Sequence, residues 1–277
     1  MNLTSPSQVK AWCIENGFHP NKVLGQNFLV DRNALEAIVD VGLDGVAGDP
    51  PSVLEIGPGL GVLTEELLRR GCRVTAIEKD HVLAERLAGA LGCQDRLTVV
   101  EGDALSVIAR GVVDVGAFAA MVSNLPYQAG TRILLDLVTM RAPAAMTVLV
   151  QSEVAERLAA AEGSKTRGLA GVWAQLDYDV RIVRRVSATC FWPRPQVGSS
   201  VVRLDRHERN AGLTEDERRM FRSLTKRAFS QRRKQLGRVF KYMVQSTARA
   251  EELSNEDWIA LTKGLAETKG AMQNEDT

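Results

Sequence analysis

Gly57, Gly59 and Gly61 stand at alternate positions directly after the apolar run Val53-Leu54-Glu55-Ile56. An apolar pattern of helical spacing then restarts at Val62-Leu63 and returns at Leu67-Leu68. The segment therefore reads as strand, tight turn and helix. Glycine lets a backbone turn sharply and lets a ligand come closer than a Cβ would allow. The dinucleotide fingerprint needs its third glycine five positions after the first, and Val62 occupies that place. Here the third glycine comes one position earlier, at Gly61. Acids lie before the turn (Glu55) and at the end of the next apolar run, Val74-Thr75-Ala76-Ile77-Glu78. Such an acid suits the two hydroxyls of a ribose. Nucleotides and S-adenosylmethionine both carry a ribose; the glycine spacing favours S-adenosylmethionine. A Gly-rich turn is also a common structural device, so the rest of the chain has to decide.

A second group could hold a planar amine. In Asn124-Leu125-Pro126-Tyr127, Pro126 fixes the backbone and removes a competing donor. Asn124 and the Leu125 carbonyl present two acceptors, and Tyr127 presents an aromatic face. Two acceptors and a stacking surface suit an amino group conjugated to a ring, poised to attack a methyl group. The same four residues could also be an ordinary turn after a strand.

These groups have to be positioned by strands. Short apolar runs near Ser52–Ile56, Arg73–Ile77, Leu97–Val100, Met121–Ser123 and Thr147–Val150 have the character of strands buried on both faces. Helical patterns near Val62–Arg70, His81–Leu91, Thr131–Thr139 and Glu153–Ala161 alternate with them. That alternation specifies a parallel sheet covered on both sides. In such sheets a ligand lies beyond the carboxyl ends of the strands. The Gly57–Gly61 turn, Glu78-Lys79-Asp80, Gly102-Asp103-Ala104 and Asn124–Tyr127 should therefore converge. Tyr178–Val186 and Ser199–Leu204 read as an antiparallel hairpin closing one sheet edge.

Upstream, Ser5-Pro6-Ser7-Gln8 reads as a capping box for a helix from Pro6 to about Asn16, ending at Gly17. Asp31 can cap the next helix, from Arg32 to about Val39. The segment between them, Lys22 to Asp31, has no clean period. After Arg206 the pattern turns helical: Thr214 can cap Glu215–Phe229, with weaker helices over Gln231–Tyr242 and Glu256–Glu267. The division expected is 1–206 and 207–277.

Bulk properties bound the function only loosely. The chain has 277 residues, 45% hydrophobic and 25% charged, with a net charge of +1, so overall charge points to no partner. Charge distribution does: Arg218 to Lys241 holds ten Lys or Arg and no Asp or Glu. Such segregation suits a polyanion, or simply a solvated basic helix face. Cys13, Cys72, Cys93 and Cys190 are scattered, which indicates neither a zinc site nor a disulfide framework. With no signal peptide and no long apolar run, the expectation is a reduced, soluble, cytoplasmic protein, and by default a monomer.

Taken in order, the motifs resemble the family of small-subunit ribosomal RNA adenine dimethyltransferases. The resemblance runs over nearly the whole chain. It is carried by Leu24-Gly25-Gln26-Asn27-Phe28-Leu29-Val30-Asp31, the Glu55–Gly61 turn, Glu78, Gly102-Asp103 and Asn124–Tyr127. It continues through Val154–Leu158, Phe191-Trp192-Pro193-Arg194-Pro195-Gln196-Val197, Val201–Leu204 and Ala228–Lys234. It implies an α/β, Rossmann-like class I methyltransferase sheet, mostly parallel with an antiparallel edge hairpin, followed by a small all-helical RNA-binding domain. It implies S-adenosyl-L-methionine bound by Gln26, Asn27, Leu29, Gly57, Gly59, Gly61, Glu78, Lys79, Asp103, Ala104 and Asn124. The target adenine would lie on Asn124, Leu125, Pro126 and Tyr127, with Phe191 on its other face. Small-subunit RNA phosphates would meet Arg222, Lys226, Arg227, Arg232, Arg233 and Lys234. The Pro-rich loop departs from the family pattern: Gly198 and Ser199 follow Val197 where an Asp is usual. Gln196 replaces a Lys, and Arg194 replaces a third Pro. Two other readings compete. One is the large-subunit adenine methyltransferases of macrolide resistance, which usually carry Ile at the Leu125 position. The other is an RNA-binding assembly or transcription factor with vestigial catalysis.

Overall fold

The computed structural model describes residues 1–21, 24–91, 95–241 and 243–274. Contacts divide the chain into two units, Met1–Ala155 with Asp179–Arg206, and Glu156–Tyr178 with His207–Thr277. In this division the Glu156–Tyr178 segment groups with the helices that follow residue 207.

In chain order the elements are α1 (Pro6–Glu15), β1 (Phe28–Leu29), α2 (Arg32–Leu43), β2 (Ser52–Ile56), α3 (Val62–Arg69), β3 (Arg73–Glu78) and α4 (His81–Leu91). There follow β4 (Leu97–Glu101), α5 (Ala104–Ala109), β5 (Ala120–Asn124), α6 (Gly130–Met140), β6 (Ala145–Gln151), α7 (Ser152–Leu158) and α8 (Leu169–Asp177). The remainder are β7 (Tyr178–Val186), β8 (Phe191–Trp192), β9 (Ser199–Arg206), α9 (Glu215–Ser230), α10 (Leu236–Val239) and α11 (Asn255–Asn274).

The first unit carries a seven-stranded sheet in the order β4-β3-β2-β5-β6-β9-β7. Strands β4 to β6 are parallel; β9 runs antiparallel to β6 over seven residue pairs, from Ala145↔Asp205 to Gln151↔Ser199. Order reverses between β2 and β5, the switch point at which open sheets of this kind bind ligands. Ile38, Val53, Leu67, Val122 and Leu149 form the dry layer beneath it. Arg203 on β9 is buried, and its guanidinium donates to the carbonyls of Val41 (2.9 Å), Gly42 (3.2 Å) and Asp44 (3.1 Å). Those acceptors belong to the end of α2, which the helix itself cannot satisfy.

Two caps behave differently from one another. Asp31 accepts from Ala34 N at 2.8 Å and starts α2 as expected. Ser5 does not cap α1: its hydroxyl pairs with Ser7 Oγ (3.1 Å), and Gln8 Oε1 accepts from Asn2 N (2.7 Å). Proline at the first helical position and the left-handed Gly17 (φ 59°) still bracket the helix.

In the second unit, Val172 and Leu176 of α8 pack with Phe221, Leu236 and the fully buried Trp258. Thr214 and Glu217 form a reciprocal capping box at the start of α9. The helix expected over Gln231–Tyr242 is reduced to α10, preceded by a turn, and Tyr242 lies outside the described residues. No helix among the described residues is long and apolar enough to cross a membrane.

Candidate active site

The carboxyl ends of β2, β3 and β5 open into a cavity of about 440 Å³, within the range of small-molecule sites. The opening has a local cause. Strands β2 and β5 pair only at Val53↔Ala120 and Leu54↔Met121; beyond that they part, and Ile56 N donates to Ser123 Oγ (2.9 Å) instead. The buried hydroxyl thus satisfies a main-chain donor that splaying would otherwise orphan.

Between β2 and α3 the main chain is left-handed at Gly57 (φ 69°), Gly59 (φ 59°) and Gly61 (φ 90°). A Cβ on Gly59 would meet the Phe28 ring at 3.2 Å, so the turn requires glycine there for space as well as conformation. Gly57 and Gly59 line the cavity, but Gly61 does not. Gly61 is the N-cap of α3, where its left-handed backbone makes the sharp entry into that helix.

Glu78 lies at the cavity, buried, with Oε2 accepting from Gly59 N (3.0 Å) and Oε1 from Asp80 N (2.9 Å). Burial raises its pKa, against those two backbone donors. A carboxylate oxygen has a second lone pair, so each can still accept from a vicinal diol. Asp103 caps α5 through Leu105 N (3.0 Å) and ion-pairs with Lys79 Nζ (2.7 Å), which holds its carboxyl below the usual range. Lys79 therefore reaches the site through Asp103. Ala104, Ile77 and Leu105 add apolar wall.

Of the N-terminal segment without a readable period, residues 24–29 line this cavity as a strap, and Lys22 and Val23 lie outside the described residues. Gln26 is spent on holding it: Nε2 donates to Asp80 Oδ2 (2.9 Å) and Oε1 accepts from Asn21 N (2.7 Å). A Cβ on Gly25 (φ 69°) would stand 3.1 Å from Tyr127 N, so the strap packs directly on the main chain of the Asn124–Tyr127 turn. Asn27 O accepts from Asn124 Nδ2 (3.2 Å). With its nitrogen committed there, Asn124 has its Oδ1 left for a donor in the cavity. Leu125, Pro126 and Tyr127 line the same cavity, as do Asn27 and Leu29.

Phe191 is not in this wall. The two-residue pairing of β1 with β8 sets Leu29 opposite Phe191 and Phe28 opposite Trp192, and the Phe191 ring is buried in the core beneath the sheet. Gln26, Asn27, Leu29, Gly57, Gly59, Glu78, Lys79, Asp103, Ala104 and Asn124–Tyr127 do converge. Ser123, Gly25 and Asp80 each act through a partner distant in the chain, which no local sequence pattern reveals.

The expected basic residues all lie in the helical unit. Lys226, Arg227, Arg233 and Lys234 are exposed, whereas Arg222 and Arg232 are half-buried. Arg232 is tied to Lys165 O (2.5 Å) and approaches Glu251 (3.4 Å). Arg218, at the start of the basic run, is buried in an ion pair and faces no solvent.

Glu55 is the least exposed acid near the cavity, at 1% of its surface. Burial pushes its pKa up to about 8 from 4.5, against the Thr64 hydroxyl that donates to it at 2.6 Å and aided by nearby Glu78. An acid whose pKa is raised on folding binds its proton more tightly when folded. Its contribution is complete below about pH 4.5 and is lost as pH rises towards 8. The expected slope is up to roughly 1.4 kcal/mol per pH unit in that window. Glu55→Gln, which cannot ionise, should gain in urea midpoint relative to the wild type as pH goes from 5 to 8. Parallel midpoints across that range would refute the assignment.

Residues 17–267 match the family model described as ribosomal RNA adenine dimethylase. The ribosomal RNA small subunit methyltransferase A of Geobacillus thermodenitrificans is 39% identical over 241 residues, covering 85% of this chain and 80% of that protein. The protein of the same name from Mycobacterium bovis is 38% identical over 95% of this chain and 88% of its own. Among solved structures, a dimethyladenosine transferase from Plasmodium falciparum aligns with a TM-score of 0.70 at 23% identity, covering 83% of this chain and 94% of that one. The 23S rRNA methyltransferase ErmE gives 0.64 at 24% identity, with 86% and 98% covered; at those identities the two likenesses speak to the fold. The matched family model spans the cavity, its strap and most of the helical unit, and the chain belongs to the ribosomal RNA adenine dimethylase family.

Proposed function

We propose that this enzyme transfers methyl groups from S-adenosyl-L-methionine to the exocyclic amines of two adjacent adenines in small-subunit ribosomal RNA, during assembly of that subunit in the cytoplasm. The observation that carries the reading is Asn124: its amide nitrogen is held by Asn27 O within the cavity, which turns an acceptor towards an incoming amine.

When bound, S-adenosyl-L-methionine supplies a methyl group already activated on a sulfonium. The residues present fit it. Glu78 has acceptors left for ribose hydroxyls, Gly57 and Gly59 leave room for close approach, and Ile77 and Leu105 offer apolar walls to an adenine. Asp103, already charged by its pairing with Lys79, accepts from that adenine's amine at the cavity edge.

For the target base the protein provides orientation. Taking an adenine out of its stack costs a few kcal/mol in a duplex and less in a loop. Stacking on Tyr127 returns about 1–3 kcal/mol. Asn124 Oδ1 and the Leu125 carbonyl accept from the two amine hydrogens and keep the nitrogen lone pair aimed at the methyl carbon. Fixing the reactants in near-attack contact can lower the barrier by up to about 7–11 kcal/mol. The amine can release its proton after transfer, so no side-chain base is required. Lys226, Arg227, Arg233 and Lys234 hold RNA phosphates without reading sequence, with the salt dependence that follows.

The test uses purified small ribosomal subunits that lack methylation, labelled S-adenosyl-L-methionine, and digestion of the RNA to nucleosides. Label in dimethyladenosine is the expected result. Label only with large-subunit RNA would move the enzyme to the macrolide-resistance group. Subunit binding without label on either RNA would make it a non-catalytic assembly factor.

A further inference from the structure

Tyr127 follows β5, whereas Ser199 is the first residue of β9, opposite Gln151 at the end of β6. Strand β6 lies between β5 and β9. Tyr127 Oη and Ser199 Oγ are 2.7 Å apart, so the phenol links the turn after β5 to the first residue of β9. Ser199 is itself buried and rigidly placed. Its strand is paired with β6 along seven residues, Ser152 N donates to Gly198 O (3.0 Å), and the hydroxyls of Ser152 and Ser200 meet at 3.1 Å. At the other end, the Tyr127 main chain rests against Gly25 of the strap.

We propose that Ser199 is a positioning residue for methyl transfer: its hydroxyl pins the tip of Tyr127, fixing the ring that receives the target base. This rests on the stacking role assigned to Tyr127 above. Without the bond the ring still has its apolar face but swings about a single anchored end. The ground-state complex then forms in several poses, of which few place the amine in line. The cost falls on kcat at saturating RNA, and cofactor affinity, which involves neither hydroxyl, is unaffected.

The two ends of the bond can be removed separately. Ser199→Ala and Tyr127→Phe should each lower kcat about tenfold, the effect of one neutral hydrogen bond. The double variant should be no slower than either single one. Equilibrium dialysis with S-adenosyl-L-methionine should give the wild-type Kd for all three, which separates positioning from misfolding. Multiplying losses in the double variant, or a Ser199→Ala enzyme at the wild-type rate, would overturn the proposal. Should Ser199→Ala fail to bind cofactor, Tyr127→Phe decides alone, since it removes the same bond without opening space in the sheet; a wild-type rate there overturns the proposal. A wild-type enzyme that methylates no RNA would instead defeat the function proposed above.

Discussion

Asn124→Ala should lower kcat for methyl transfer to RNA by about 10²–10³-fold, the usual loss when one group aimed at a reacting centre is removed. Two effects combine. The variant lacks the acceptor for the target amine, and it leaves Asn27 O, which accepts from Asn124 Nδ2 at 3.2 Å, without its partner. The strap would then lose one of its fastenings to the turn, although Gln26 still ties it to Asp80 at 2.9 Å. Asn124→Asp separates these contributions. It keeps acceptor oxygens but sets a carboxylate against the Asn27 carbonyl, so it should bind cofactor less well than the wild type while retaining part of the rate. Single-turnover assays on undermethylated small subunits, with cofactor affinity measured in parallel, would resolve the two. An Asn124→Ala enzyme with an undiminished rate would remove the central residue from the mechanism.

The largest effect on stability is expected in the helical unit, at Arg218. Its Nη1 donates to Asp177 Oδ2 at 2.7 Å and its Nη2 to Asn210 O at 2.6 Å, and both charged side chains are at most 4% exposed. A buried pair of this kind adds little relative to an apolar pair of the same shape, but removing one member of it is strongly destabilising. Arg218→Met should therefore cost about 3–5 kcal/mol, whereas Arg219→Met, at an exposed neighbour, should cost well under about 1 kcal/mol. Arg218→Met combined with Asp177→Leu should recover part of the loss. Urea titrations would measure all three, and a small loss for Arg218→Met alone would show that the charge is solvated after all.

Arg218 also marks where the sequence was silent. It opens a run of ten basic residues and is indistinguishable by type from Arg219, yet one is buried and the other is on the surface. Burial depends on Asp177 and Asn210, which no local pattern connects to it. Sequence signals that are local in origin fared better. The five parallel strands and the Gly57–Gly61 turn were legible, because their periodicity and glycine demands reside in a few consecutive residues. Strand β1 has only two residues and takes its conformation from β8, more than 160 positions away, so the stretch from Leu24 could be placed at the site only by resemblance. The same pairing buries Phe191 away from the cavity lining. Helix α8 was hidden by Gly168 and Gly171. The latter is needed because a Cβ there would lie 2.4 Å from Arg157 O, a constraint of packing that reads locally as a helix breaker.

The strand order β6-β9-β7 has a consequence for synthesis. Translation delivers β7 before β9, yet β9 is the strand that separates β7 from β6 in the finished sheet. As β7 leaves the ribosome it has no neighbour to join, and pairing it directly with β6 would occupy the place reserved for β9. Helix α8, made just before, waits longer still, since Phe221, Leu236 and Trp258, against which its apolar face packs, are encoded tens of codons downstream. Neither unit is a contiguous stretch of message, so the nascent chain must keep an unpaired strand and an uncovered helix in waiting. Stopping translation after Arg206 would release a polypeptide with a complete sheet and a helix whose partners were never made.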